Sequence, residues 1–205
     1  MGATKNLTPD ETLRDVFGTN TRAMVKRILD TYAQADSAIR TAGTNWYREA
    51  GDHCGTLSTN HGISRETAAA VIAHLSPRTS WARNVAGAYA LCASGTAPHC
   101  MEANVARALC ALGSSDPLAT LNGPKTAAFA RNILGDYSVV TVDVWALRIA
   151  LPAGTEKATM EKGIGRKGVY SAIARAYTIA ANRAGIEPAV MQAITWIVVR
   201  NGRAN

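Results

Sequence analysis

A chain of 205 residues with 47% hydrophobic side chains has ample apolar surface for one core, and its aromatic share of only 6%, with abundant alanine, favours closely packed helices over a β-sandwich. Twenty-two Lys and Arg against fifteen Asp and Glu leave a formal charge of +7, so nucleic acid is the expected partner; a merely solvated basic surface is the plain alternative, because the charges are spread along the chain. No apolar run of about eighteen residues and no signal-peptide core in residues 1–10 exclude a membrane partner and point to the cytoplasm, while four scattered cysteines (Cys54, Cys92, Cys100 and Cys110) exclude a disulfide framework and read as buried thiols.

In chain order, Met24, Ile28, Tyr32, Ala35 and Ile39 recur at three and four residues and predict an amphipathic helix over residues 20–42, followed by a short apolar-aromatic element at Trp46-Tyr47. Ser64 with Thr67 opens a helix that runs to Leu75 and stops at Ser76-Pro77, because proline disfavours helical geometry in the residue before it. A helix from Ser80 carries Trp81, Val85, Ala88 and Leu91 on one face. Residues 104–112 form a short helix closed by Gly113, and Asp116-Pro117 starts a single turn. Pro124 suits the first position of a helix over residues 125–134. Residues 138–142 favour extended backbone but are too isolated for a sheet, and lead into a helix capped by Asp143. A looser Lys/Gly-rich stretch, residues 154–168, is a candidate hinge or binding loop ahead of two final helices, residues 169–184 and 188–199. The expected fold is all-α: one helical domain over residues 1–205, with lobes conceivable at 1–63 plus 151–205 and at 64–150.

The most informative stretch is Leu121-Asn122-Gly123-Pro124-Lys125-Thr126-Ala127, followed by Val142-Asp143-Val144-Trp145, with Asp143 eighteen positions after Lys125. Upstream stands Leu75-Ser76-Pro77-Arg78-Thr79-Ser80-Trp81. These segments resemble, in order and in the lysine-to-aspartate spacing, the helix-hairpin-helix DNA glycosylase superfamily in its endonuclease III-like branch. Among such proteins the chain is most similar to small bacteriophage proteins that share the Leu-Ser-Pro, Gly-x-Lys and Val-Thr-Val-Asp segments; a phage origin would place it in the host cytoplasm. The resemblance covers roughly residues 69–150. It implies a compact helical glycosylase-like fold, Asp143 as the catalytic carboxylate, Lys125 as a nucleophile, Ser76, Asn122 and Gly123 against DNA, and Arg78 in the gap left by an extruded base. The pattern differs at Leu121, which replaces the hairpin's first glycine, and at Trp145, which replaces a histidine. A second alignment sets Gly123-Pro124-Lys125 on an earlier glycine-lysine turn instead of the catalytic hairpin.

Cleaving a glycosidic bond builds positive charge on the sugar, which a fixed carboxylate stabilises, and a lysine amine freed of its proton by burial can attack the sugar carbon. Read more plainly, Asp143 is a helix cap and Lys125 a first-turn surface residue. Gly163-Ile164-Gly165-Arg166-Lys167-Gly168 forms a second glycine-lysine turn, where Arg166 and Lys167 are candidate phosphate contacts. Arg83, Arg131 and Arg148 could add to them. Trp81 and Trp145 are the candidate walls of a base pocket; Trp46, Tyr47 and Trp196 could stack on a base too, though core packing is the default for all five. Cys92, His99 and Cys100 lack the paired Cys-x-x-Cys form of a zinc site, and the four-cysteine iron–sulfur motif is missing, so neither metal nor cofactor is expected. Three functions stay open: a glycosylase acting on a flipped, modified or damaged base, a base-modifying transferase of hypermodified phage DNA, and a non-catalytic DNA-binding or host-interaction protein on the same fold.

Overall fold

The computed structural model describes residues 8–200, and within them the protein is all-α: eleven helices and a single 3-10 turn, with no strand. The helices are α1 (Pro9–Phe17), α2 (Thr21–Tyr32), α3 (Ser37–His61), α4 (Arg65–Leu75), α5 (Trp81–Ser94), α6 (Glu102–Leu112), α7 (Pro124–Ile133), α8 (Val144–Ala150), α9 (Lys157–Ile164), α10 (Val169–Ala184) and α11 (Pro188–Val199), with the 3-10 turn at Leu118–Thr120. None of them is long and apolar enough to cross a membrane. The anticipated caps are in place: Ser64 Oγ accepts the Thr67 N–H at 3.0 Å to open α4, and Pro124 and Pro188 occupy the first turns of α7 and α11.

Several elements depart from the sequence reading. The single helix expected over residues 20–42 is two, because Asp36 turns its carboxylate onto the Ile39 N–H (2.7 Å) and starts α3 afresh. Trp46 and Tyr47 belong to the body of this 25-residue helix and form no separate element. Residues 157–164, expected as part of a loose loop, fold as α9, because Met160 is buried and Gly163 packs directly against Phe17 and Val16. That contact needs α1, which the sequence reading omitted although Thr8 and Glu11 form a reciprocal capping box. The thiols are all free, but only Cys54 is fully buried; Cys92 and Cys100 are half-buried and Cys110 lies on the exposed face of α6.

Two large apolar clusters organise the molecule. One gathers α1, α2, α8, α9 and α10 around Leu13, Met24, Ile28, Leu151, Ile173 and Tyr177. The other gathers the C-terminal half of α3 with α4 to α7 around Leu57, Ile72, Leu75, Leu91 and Ile133; α4 is its axis, buried from Thr67 to Leu75. Helix α11 serves both, giving Met191 to the first and Ala189 and Ala193 to the second. The buried residues of the first cluster come from residues 13–28 and 140–181 with Met191, and those of the second from residues 47–133 with Ala189 and Ala193.

Glycine fixes how closely α3 meets its neighbours. A Cβ on Gly43 would stand 2.8 Å from the Ile194 Cα, and one on Gly51 would stand 2.5 Å from the Ile133 carbonyl oxygen. Helix α3 is therefore seated backbone-close on α11 at one point and on α7 at another. Trp46 and Tyr47 lie between those two points, and so does the site.

Candidate active site

A cavity of about 270 Å³ opens at the meeting of the two clusters. Trp46 and Tyr47 from α3, the segment that follows α4 (Ser76, Thr79 and Ser80), Trp81 and Asn84 from α5, Lys125 and Phe129 from α7, Thr141, Asp143 and Trp145 around the start of α8, and Gln192, Ala193, Trp196 and Arg200 at the end of the chain form its walls. The chain has four tryptophans, and all four are on this cavity. Trp46 is the hub of the aromatic wall, with ring centroids 4.7 Å from Tyr47, 5.2 Å from Trp81, 5.6 Å from Trp196 and 6.1 Å from Phe129. The tryptophans are half-buried: Trp46 and Trp81 pack against the second cluster, and all four line the cavity.

Of residues 138–142, expected to be extended, Ser138 lies in a turn and Val139 in a bend; the remainder belongs to no sheet, Asp143 itself is extended, and side chains supply the hydrogen bonds a neighbouring strand would have given. Tyr170 Oη donates to the Val140 carbonyl at 3.0 Å and accepts from the Val142 N–H at 3.1 Å. Thr141 Oγ1 donates to Asn132 Oδ1 at 2.7 Å, and the buried Asn132 amide donates to the Asp136 and Val139 carbonyls at 2.8 and 3.0 Å. Asp143 then caps α8, its Oδ1 accepting the Trp145 and Ala146 N–H groups at 3.0 and 2.8 Å. The cap and the pocket carboxylate are one side chain in two roles.

Lys125 stands in the first turn of α7 and donates from Nζ to Ser76 Oγ at 3.2 Å; Ser76 in turn donates to the Ala73 carbonyl at 2.9 Å. Burial pushes the Lys125 ammonium below the ordinary lysine range, and the negative charge of Asp143 opposes that shift. Burial likewise pushes the Asp143 carboxyl above the ordinary carboxylate range, against the Ala146 N–H, the Lys125 charge and the Trp145 N–H. Each group feels the other's charge, yet among the described residues the direct ion pairs, such as Lys26 with Asp30 and Arg166 with Asp15, do not include them. An amine and a carboxyl group, each shifted by burial toward its neutral form, thus face one aromatic-walled space, an arrangement suited to nucleophilic attack at a centre that develops positive charge.

Of the residues singled out from sequence, Lys125, Asp143, Ser76, Trp81 and Trp145 come together on the cavity. Arg78 does not line it but projects from the loop whose neighbours do. It is exposed, and its φ of 60° lies in the left-handed region that a non-glycine residue adopts at a cost. Asn104 holds that loop, donating from Nδ2 to the Pro77 carbonyl at 3.1 Å. Asn122 and Gly123 sit beside Lys125 on the lead into α7, outside the cavity wall. Arg166 and Lys167 are exposed on the turn between α9 and α10, away from the cavity, and Arg166 is paired with Asp15 at 2.8 Å. Arg131 is engaged by Asp136, whereas Arg148 lies over the Trp145 ring at 4.7 Å and Arg200 over the Trp196 ring at 4.4 Å.

Sequence reasoning missed Asn84, Phe129, Thr141, Gln192 and Arg200. Gln192 Oε1 accepts from Tyr47 Oη at 2.7 Å across 145 positions of chain, a pairing with no local signal. Asn84 carried a weak one, as a polar residue on the buried face of α5.

No curated protein and no solved structure matches the chain. Residues 10–203 match a family of unknown function, DUF7178, and the chain belongs to that family.

Proposed function

We propose that the protein is a DNA glycosylase-like enzyme that acts on a modified or damaged base flipped out of the duplex. The observation that carries this reading is the convergence of Lys125 and Asp143, each shifted by burial, on one cavity walled by stacking rings. The wall supplies π-faces for an extruded base, and the carboxylate lies where a sugar cation would be stabilised. In the reaction the neutral Lys125 amine attacks C1′ of the deoxyribose, the bond from C1′ to the base nitrogen breaks, and the base leaves with the bonding pair. The proton shed by the new C–N bond goes to the base, and the linked sugar opens to a Schiff base. Arg78, on its strained exposed loop, enters the space vacated in the duplex, while Ser76 orients the Lys125 amine. Asn122 and Gly123 beside α7 and the exposed Arg166 and Lys167 turn contribute phosphate contacts, in keeping with the formal charge of +7.

The test is incubation with duplexes carrying a panel of modified and damaged bases, with released base followed by mass spectrometry. The expected result is release of at least one base by the native protein and none by Asp143→Asn. Tight, salt-sensitive binding without release from any duplex would make this a non-catalytic DNA-binding protein.

A further inference from the structure

Asn84 has no role in the chemistry above, yet it is the one described residue whose buried side-chain polar atom lacks any partner. It is 2% exposed on α5, its Oδ1 is shut off from water at the cavity wall, and no hydrogen bond reaches it. Among the described residues its Nδ2 also has no protein partner. A buried carboxamide in this state costs stability, and an apolar residue of the same shape would not. The cost is offset when a ligand completes the hydrogen bonds. Rotation of the terminal amide about its soft torsion turns its edge, Oδ1 and Nδ2 together, toward the cavity.

Across the same space, Gln192 is 5% exposed and has its Oε1 committed to the Tyr47 hydroxyl, which leaves its Nε2 as a donor with no protein partner. Lys125 is committed to Ser76, and the Asp143 Oδ1 is engaged by two backbone N–H groups. The wall therefore sets amide donors beside a vacant amide acceptor, Asn84 Oδ1. The complement of that set is a ligand edge that places an N–H beside carbonyl acceptors.

Resting on the proposed base-flipping function, we infer that Asn84 is the specificity-determining residue of the pocket and that it selects a base with a ring N–H between two carbonyls, the imide edge of uracil- and thymine-type pyrimidines. Asn84 Oδ1 accepts the ring N–H, and the amide donors of Asn84 and Gln192 meet the carbonyl oxygens. A cytosine-type base sets an unprotonated ring nitrogen against Asn84 Oδ1 and an amino group against one of these donors, so an acceptor pair and a donor pair collide and two hydrogen bonds are lost.

The tryptophans provide a readout that does not depend on turnover, since a base entering the cavity stacks against them and quenches their fluorescence. Duplexes with a single uracil, 5-hydroxymethyluracil or cytosine opposite an abasic site, where flipping is cheapest, are titrated against the native protein, Asn84→Leu and Asn84→Asp. For the native protein the uracil-type duplexes quench with affinity about tenfold or more above the cytosine duplex. Asn84→Leu removes this preference and raises the melting temperature of the DNA-free protein. Asn84→Asp, which only accepts, narrows the preference, since it loses a uracil carbonyl and gains the cytosine amino group; should it not fold, Asn84→Leu alone decides. Equal affinities in the native protein, a preference unchanged in Asn84→Leu, or no quench with any duplex would overturn the inference. Failure of the parent reading looks different: quench that depends on Asn84 without release of any base removes the catalysis and leaves the reader standing.

Discussion

Replacing Asp143 by asparagine and by alanine separates its two roles. Burial raises its carboxyl pKa, so its contribution to stability is present below the ordinary carboxylate value of 3.8 and is lost as pH rises through the higher folded-state value. At neutral pH the burial of this group is therefore a net cost to stability. Asparagine removes the charge but keeps an Oδ1 for the Trp145 and Ala146 N–H groups, now at 3.0 and 2.8 Å; alanine removes both charge and cap. The difference between the two variants isolates the cap, about 1 kcal/mol, or roughly 2–4 °C in Tm for a chain of this size. Asp143→Asn should thus melt at or above the native temperature at pH 7, with Asp143→Ala that far below Asp143→Asn, by calorimetry. Both should abolish base release and leave DNA affinity largely intact, because the charge is needed mainly in the transition state. Losing it also withdraws the charge that supports the Lys125 ammonium, so the lost turnover cannot be ascribed to a shortage of neutral amine. Full turnover in Asp143→Asn, or a melting temperature as low as that of Asp143→Ala, would refute the reasoning.

Gly51→Ala forces a Cβ to within 2.5 Å of the Ile133 carbonyl and should cost about 1–3 kcal/mol in urea unfolding, whereas Gly62→Ala, with open space around it, costs only its left-handed backbone strain. His74, which shares a 2.9 Å hydrogen bond with Thr120, has a pKa lowered first by burial and then by Arg107; stability should fall as pH drops below about 6.5, and His74→Gln should flatten that limb of a Tm-against-pH curve. Lys167→Glu on the exposed turn between α9 and α10 should weaken binding to all DNA sequences alike and lower the salt slope of log K by about one, measured by fluorescence anisotropy. Base release should rise with pH along a limb whose inflection lies below the ordinary lysine value of 10.5, since the proposed nucleophile is the neutral Lys125 amine.

The helices whose caps and apolar faces are local were legible in the sequence: Ser64 for α4, Pro124 for α7 and Pro188 for α11 mark their starts as the structure has them. What depends on tertiary contact was not. Residues 157–164 look like a loop until Phe17 and Val16 cover Gly163, and the break between α2 and α3 turns on one aspartate choosing a backbone N–H over solvent. The site divides in the same way. Lys125 and Asp143 were visible because their spacing and flanks formed a motif, and Trp81 and Trp145 because they adjoin it. Tyr47 and Gln192 meet only through the close seating of α3 on α11 at Gly43, which no pattern along the chain encodes. Asn84 reads as one more helix residue until its burial and its empty acceptor are both known.

Borohydride trapping tests the central claim most directly, because a reduced adduct at one lysine reports base flipping, bond cleavage and the nucleophile together. The native protein is incubated with the base-bearing duplexes in borohydride, and the cross-linked peptide is mapped by mass spectrometry. A covalent DNA adduct should form on Lys125 and be absent in Lys125→Ala and in Asp143→Asn. An adduct on another residue, or release of base with no adduct at all, would contradict that claim.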